Sequence, residues 1–330
     1  MFCAKGASLV SLKTPSGVEL NAHFDNPDNY GHPQSGYIGT SVGRVANRIF
    51  GANICINGHN YALPVMEDPN ITLHGGPEGW SQVQWAQSSK ERDGRTSTVF
   101  SHTSDHLDMG FPAKVLVTAT YTPYTISEDG VKNVVELEYE ATIADDSPVD
   151  ETVVSITNHA YLNPSGSFDS ISGTRAQWCT NEVLELASDK SGPTGRIVSK
   201  EGVPAGGQEF EFSDTNPALD DAFVVHPLDQ FTKLDTRDRE PKELVHLWHP
   251  ATKAHVKVLS TEPIFQVYSS DGMNVPKLPG ESRSYGNRCA IAVEPARPTS
   301  AATTDQWNQW VRLRKGDTYG SKIVWVAWDQ

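Results

Sequence analysis

Residues 152–163 read Thr-Val-Val-Ser-Ile-Thr-Asn-His-Ala-Tyr-Leu-Asn, a β-branched run that ends in side chains able to move protons. The run predicts a mostly buried strand over Thr152–Thr157. His159 follows it, and an imidazole is the side chain whose ordinary pKa lets it give or take a proton near neutrality. Asn158, Tyr161 and Asn163 stand beside it and offer hydrogen bonds to a polyhydroxylated ligand. A histidine at a strand end is also a common structural residue, so the rest of the chain has to decide.

Four other places carry residue types suited to chemistry. Gly43-Arg44-Val45-Ala46-Asn47-Arg48-Ile49 sets two arginines four apart among small residues, and Leu73-His74-Gly75-Gly76 sets a histidine before glycines that permit close backbone approach to a ligand. Asp220 and Asp221 stand side by side before Ala222-Phe223, and Glu294 ends the apolar run that follows Arg288. A carboxylate after five apolar residues has a raised pKa unless paired, which suits a general base. Each has a plainer reading: ion pairs for Arg44 and Arg48, a turn cap for His74, solvent contact for Asp221, a buried arginine partner for Glu294. His102/His106 and His246/His249 have helical ligand spacing, but their neighbours read as strand and loop, and HExxH is absent, so no metal is expected. Neither a phosphate-binding glycine loop nor a GxSxG elbow occurs.

The elements that must position these groups read as strands. Ser97–Ser101, Lys114–Tyr121, Val134–Ile143, Lys253–Leu259, Ile264–Ser269, Cys289–Val293 and Lys322–Trp328 are β-rich, and Val-Glu-Leu-Glu-Tyr-Glu at 135–140 alternates as an antiparallel strand with one wet face does. The 26 glycines and 21 prolines supply turns between them. Helical turns are expected only near Ser300–Gln309 and Asp220–Phe223, and the polar stretch from Lys200 to Pro241 reads as surface loops. The pattern predicts an all-β fold, a large antiparallel β-sandwich in a single domain over 1–330, the alternative being two β domains meeting near 145–150.

Composition narrows the partners. The 330 residues carry 41 acidic and 27 basic side chains, a formal net charge of −14 that argues against nucleic acid and anionic membranes. No stretch approaches the ~20 apolar residues of a membrane-spanning helix. Cys3, Cys55, Cys179 and Cys289 show no paired spacing, and the first residues lack the apolar core of a secretion signal. Reduced thiols and a cytoplasmic location are the expectation.

Taken in order, these segments resemble the aldose 1-epimerase (galactose mutarotase) family. GRVANRI at 43–49, LHGG at 73–76, GFPAKV at 110–115, TNHAYLN at 157–163, DDAF at 220–223, TEP…QVY at 261–268 and AVEP at 292–295 carry the resemblance, with PTG at 193–195 and KGDTY at 315–319 in support. The match spans roughly residues 36 to 328. It implies a galactose mutarotase-like supersandwich, no metal or organic cofactor, a free monosaccharide as substrate, and a monomer or weak homodimer. By motif position it implies His159 as general acid and Glu294 as general base, with Arg48, His74, Asp220 and Asn47 contacting the sugar. The chain departs from the family where Pro295-Ala296 follows the base in place of the usual Thr-Gln, and where Leu162-Asn163-Pro164 follows Tyr161, so the preferred aldose, galactose, glucose, xylose or another, is left open. Two competing readings keep the fold: a hexose-6-phosphate 1-epimerase using Arg44, Arg48, Arg297 and Lys277 on the phosphate, and a sugar-binding protein without catalysis.

Overall fold

The computed structural model describes residues 1–67, 70–92, 94–189, 191–225, 228 and 233–330. Among them the largest sheet has nine antiparallel strands, in the order Glu209–Glu211, Arg175–Trp178, Lys242–His249, Ala254–Ser260, Tyr319–Asp329, Lys132–Ile143, Val115–Ile126, Arg95–Ser104 and Ala86–Arg92. A second sheet has six, in the order Tyr161–Leu162, Ile291–Ala296, Ile264–Tyr268, Asp220–Val224, Glu182–Leu186 and Pro193–Ser199.

The hairpin Val115–Ile126/Lys132–Ile143 shows how sequence sets register. Its pairing runs from Val115 opposite Ile143 to Ile126 opposite Lys132, closed by a turn in which Asp129 and Gly130 take positive φ. The alternation at 135–140 holds: Leu137 and Tyr139 are fully buried while Glu136, Glu138 and Glu140 are half-buried on the outer face. Lys322 of the neighbouring strand lies 3.8 Å from Glu136 and 3.2 Å from Glu138, so the acidic row is partly neutralised across the sheet.

Between the sheets lies one apolar cluster. Val117, Leu137, Val258 and Trp325 come from the large sheet, and Phe223, Phe265, Val267 and Val293 from the small one. Phe223 stacks on Phe265 with ring centroids 5.4 Å apart, and Trp178 meets Phe223 edge-on at 4.7 Å. Each such side chain contributes about 1.5–3 kcal/mol by leaving water.

Period two then dictates the other face of the six-stranded sheet. With Ile291 and Val293 in the core, Ala292 and Glu294 point away from it; with Phe265 and Val267 inside, Gln266 does the same. Part of that far face is covered by Val45, Ile49, Trp307 and Trp310. What is left open is the floor of a cleft.

Three expectations change. The run at 152–157 is not one strand: Glu151–Val153 pairs with Arg312–Arg314, and Thr157–Asn158 pairs with Ser41–Val42. Full burial over 152–160 needs partners on several sides, which different segments supply in turn. Asp220–Val224 is a strand rather than a helical turn, because Phe223 and Val224 fill opposite faces of the sheet. Within the 200–241 stretch read as loops, Glu209–Glu211 is also a strand, while residues 226, 227 and 229–232 lie outside the described residues. Near 300–309 two short 3₁₀ turns form, Ala301–Thr303 and Asn308–Trp310. No helix among the described residues is long and apolar enough to cross a membrane.

Candidate active site

All six residues singled out from the sequence, His159, Glu294, Arg48, His74, Asp220 and Asn47, line one cleft of ≈ 400 Å³ over the six-stranded sheet. His159 follows the Thr157–Asn158 strand, and its backbone is pinned by N–H donation to the Thr40 carbonyl at 2.9 Å. Its ring lies between two tyrosines, with centroids 4.8 Å from Tyr161 and 5.8 Å from Tyr37, nearly parallel to both. Glu294 rises from the Ile291–Ala296 strand, and its Oε1 stands 3.3 Å from His159 Nε2.

Both groups are buried, at 4% and 3% exposure, and burial sets their protonation. It pushes Glu294 up to about 8, with the Asp220 carboxylate adding to the rise and Arg48 opposing it. It pushes His159 down to about 3. Among the described residues no hydrogen-bond partner faces His159 Nδ1, so nothing on that side of the ring offsets the burial that disfavours an imidazolium. The general acid and general base implied by the resemblance therefore start from their neutral forms. Between these limits the pair holds one titratable proton, and that proton belongs on Glu294.

His74 and Asn47 both sit in the left-handed region, at φ 50° and 61°. For non-glycine residues that conformation is uncommon and collects at functional sites. Here it locks the two together: the Asn47 backbone N–H donates to His74 Nδ1 at 3.2 Å. His74 is thereby fixed as the tautomer with its proton on Nε2, and burial, with His159 and Arg48 adding, holds it neutral. It is a hydrogen-bond donor to whatever fills the cleft.

A ligand nitrogen from each of His74 and His159 and an oxygen of Glu294 lie within 4.8 Å of one another, a spacing a cation could bridge. The donor set does not suit one. With Nδ1 accepting from Asn47, the other nitrogen of His74 carries a proton and has no lone pair for a metal.

The sugar-sized space beyond the pair is edged by a hydrogen-bonded chain. Asn47 Nδ2 donates to Gln266 Oε1 at 3.0 Å, and Gln266 Nε2 donates to Asp220 Oδ1 at 2.7 Å. Asp220 Oδ2 is 3.5 Å from Arg48 Nη1, and Arg48 grips Glu67 through Nε at 2.7 Å and Nη2 at 3.2 Å. Asp220 stands two strands from Glu294, on the order of 10 Å across the sheet.

The family model described as Aldose 1-epimerase matches residues 1–325. The chain belongs to the aldose 1-epimerase family. It is 32% identical to the bifunctional protein GAL10 of Pachysolen tannophilus over 97% of this chain and 44% of that protein. The chain thus spans less than half the length of the bifunctional relatives it matches. The aldose 1-epimerase of Escherichia coli is 27% identical, over 96% of this chain and 88% of its own. Among solved structures, the GalM/aldose epimerase homologue from C. elegans superposes with a TM-score of 0.78 at 24% identity, covering 99% of this chain and 94% of that one. The galactose 1-epimerase from Lactobacillus acidophilus gives 0.75 at 16% identity, covering 98% and 88%. These likenesses establish the galactose mutarotase-like β-sandwich.

Within that family fold several candidates fall away. Arg44 is buried away from the cleft, its two terminal nitrogens donating to the Pro112 and Ala113 carbonyls and to Ser104. Arg297 lies 3.3 Å from Glu262, both at 0% side-chain exposure, and Lys277 does not line the cleft. Asn158 and Asn163 bond backbone carbonyls, Asn158 that of Gly39 and Asn163 those of Ser170 and Cys289. Asp221 pairs with Lys200 at 2.7 Å. Gly75 is needed for close approach to the chain itself rather than to a ligand, since a Cβ there would sit 2.1 Å from the Gly43 carbonyl. Sequence reasoning missed Gln266, Glu67 and Tyr37 as contributors. The alternation of the Ile264–Tyr268 strand beside Glu294 marks Gln266 as cleft-facing, but nothing local marks Glu67 or Tyr37.

Proposed function

We propose that this chain is an aldose 1-epimerase, an isomerase that interconverts the α and β anomers of a free aldose. The observation that carries the reading is the contact between His159 Nε2 and Glu294 Oε1, 3.3 Å apart on the floor of a cleft otherwise rimmed with hydroxyl-binding groups. Opening a cyclic hemiacetal takes a proton from the anomeric hydroxyl and gives one to the ring oxygen. Both oxygens are bonded to the same carbon, so the base and the acid have to be neighbours. This pair is.

Moving the shared proton from Glu294 to His159 creates the working form, carboxylate and imidazolium, without any exchange with solvent. Glu294 then removes the anomeric proton as His159 protonates the ring oxygen. The carbonyl formed rotates about the adjacent carbon–carbon bond, and closure on its other face reverses both transfers. His74, a neutral donor, stabilises charge developing on oxygen. Arg48, Asp220 and Asn47 hold distal hydroxyls on the far side of the ring, where grip does not block rotation. The reaction requires no redox group.

The cleft supports a neutral sugar over a phosphorylated one, because three of the four cations considered for a phosphate are placed elsewhere. The shared apolar cluster between the sheets supports one domain over 1–330, and the four free thiols accord with a cytoplasmic setting. The test is polarimetry of freshly dissolved α-D-glucose and α-D-galactose. Acceleration by the wild type, lost in both His159→Ala and Glu294→Ala, is expected. Tight sugar binding with no acceleration by the wild type would assign the cleft to a binding protein.

A further inference from the structure

Glu67 lies outside the cleft lining, yet it holds two of the three guanidinium nitrogens of Arg48. Its own place is fixed by backbone: Glu67 N–H donates to the Ile71 carbonyl and Ile71 N–H to that of Glu67, at 3.1 and 3.0 Å. The following strand, Ile71–Leu73, pairs with Arg48–Phe50, with Leu73 opposite Arg48. A two-point guanidinium–carboxylate contact fixes the plane of the fork, which a lysine or a single bond would not do. The third nitrogen, Nη1, is left with the longer 3.5 Å contact to Asp220.

We propose that Glu67 is a positioning residue that turns Arg48 so one N–H edge alone faces Asp220 and the sugar, and holds the rest of that cation back from Glu294. The inference rests on the reading of the cleft as an aldose site. Without Glu67, Arg48 is free to swing onto Asp220 with both terminal nitrogens. Gln266 already occupies the other Asp220 oxygen, so the carboxylate would have little capacity left for sugar hydroxyls.

The ionisable groups lining the cleft with Glu294 are His159, His74, Tyr37, Tyr161, Tyr268, Asp220 and Arg48, and Arg297, which borders a small void with Glu294, lies 3.3 Å from Glu262. Of the described residues lining the cleft, Arg48 is the sole arginine or lysine. A cation released toward Glu294 makes its proton easier to lose, as does removal of the Glu67 charge. Both effects have the same sign.

The experiment measures kcat and KM for mutarotation against pH in the full chain, for wild type, Glu67→Gln and Glu67→Asp. Glu67→Gln is expected to raise KM several-fold and to move the basic limb of the profile to lower pH. Glu67→Asp keeps the charge and should leave that limb where the wild type has it. A purely structural role would lower the melting temperature without moving the limb, and unchanged KM and limb in Glu67→Gln overturn the proposal. If the wild type turns over no aldose, the functional reading fails separately. The Glu294 carboxyl is then titrated directly by carbon-13 NMR, assigned by its loss in Glu294→Gln. A downward shift in Glu67→Gln that shrinks in an Arg48→Gln background upholds the control of Arg48, and no shift, or one unchanged in that background, refutes it.

Discussion

His159 and Glu294 are driven toward neutrality by the same burial that keeps water from competing for their protons. One proton shared over 3.3 Å defines a pH window. Activity should hold through mid-range pH and fall as pH rises past about 8, where Glu294 loses the only proton the pair has. A profile rising through that range would assign the chemistry to other groups. Replacing either residue by alanine is expected to cost about 10²–10⁴-fold in kcat, read by polarimetry. The same burial carries a stability consequence. The folded-state pKa of Glu294 is raised from 4.5 to about 8, so its stabilising share is complete below 4.5 and is lost as pH climbs through 8. Glu294→Gln does not titrate, so its advantage in denaturant unfolding should grow with pH across that interval, by on the order of 1.4 kcal/mol per unit. An advantage that does not vary with pH would contradict the raised value.

Strands place those side chains through alternation, and alternation is what a sequence displays most openly. Ile291, Val293 and Glu294 can be sorted to two faces by counting, and the 135–140 repeat likewise. The core partner of the cleft floor is Phe265, stacked on Phe223 and fully buried. Phe265→Ala is expected to cost about 3–5 kcal/mol in denaturant unfolding. It should also loosen Gln266 and Glu294 on the far face, so activity should fall alongside stability. Less legible were contacts made across long sequence separations. The run at 152–157 looks uniform, but its partners are residues 41–42 and 312–314, which no local pattern reveals. Asp220–Phe223 read as a short helical turn, and pairing with Ile264–Tyr268 makes it a strand. Glu67 and Tyr37 reach the site from turns, where spacing carries no signal. Motif order found the polar half of the cleft, and packing supplied the rest.

At the scale of the whole molecule, a formal charge of −14 surrounds a cleft in which Arg48 is the one strong cation among the described residues. Long-range repulsion therefore acts against phosphorylated sugars before any contact is made. The screening length shrinks to about 8 Å at physiological ionic strength. Any KM measurable for glucose 6-phosphate should drop a few-fold as salt is raised from low levels, while that for glucose stays level. A KM that climbs with salt would instead reveal an attractive phosphate pocket.

The strand Tyr319–Asp329 has a further consequence, through its place in the order of synthesis. It occupies the middle of the nine-stranded sheet, joining Ala254–Ser260 to Lys132–Ile143, although the ribosome makes it after the other eight. Until it emerges, two half-sheets wait with unpaired edges, each a template for misassociation. Contacts spanning so much of the chain also make for slow closure. A nascent chain stalled before residue 319 should be cut readily by protease, and release of the final strand should confer resistance in one step. The last eleven residues of that sheet act as its keystone.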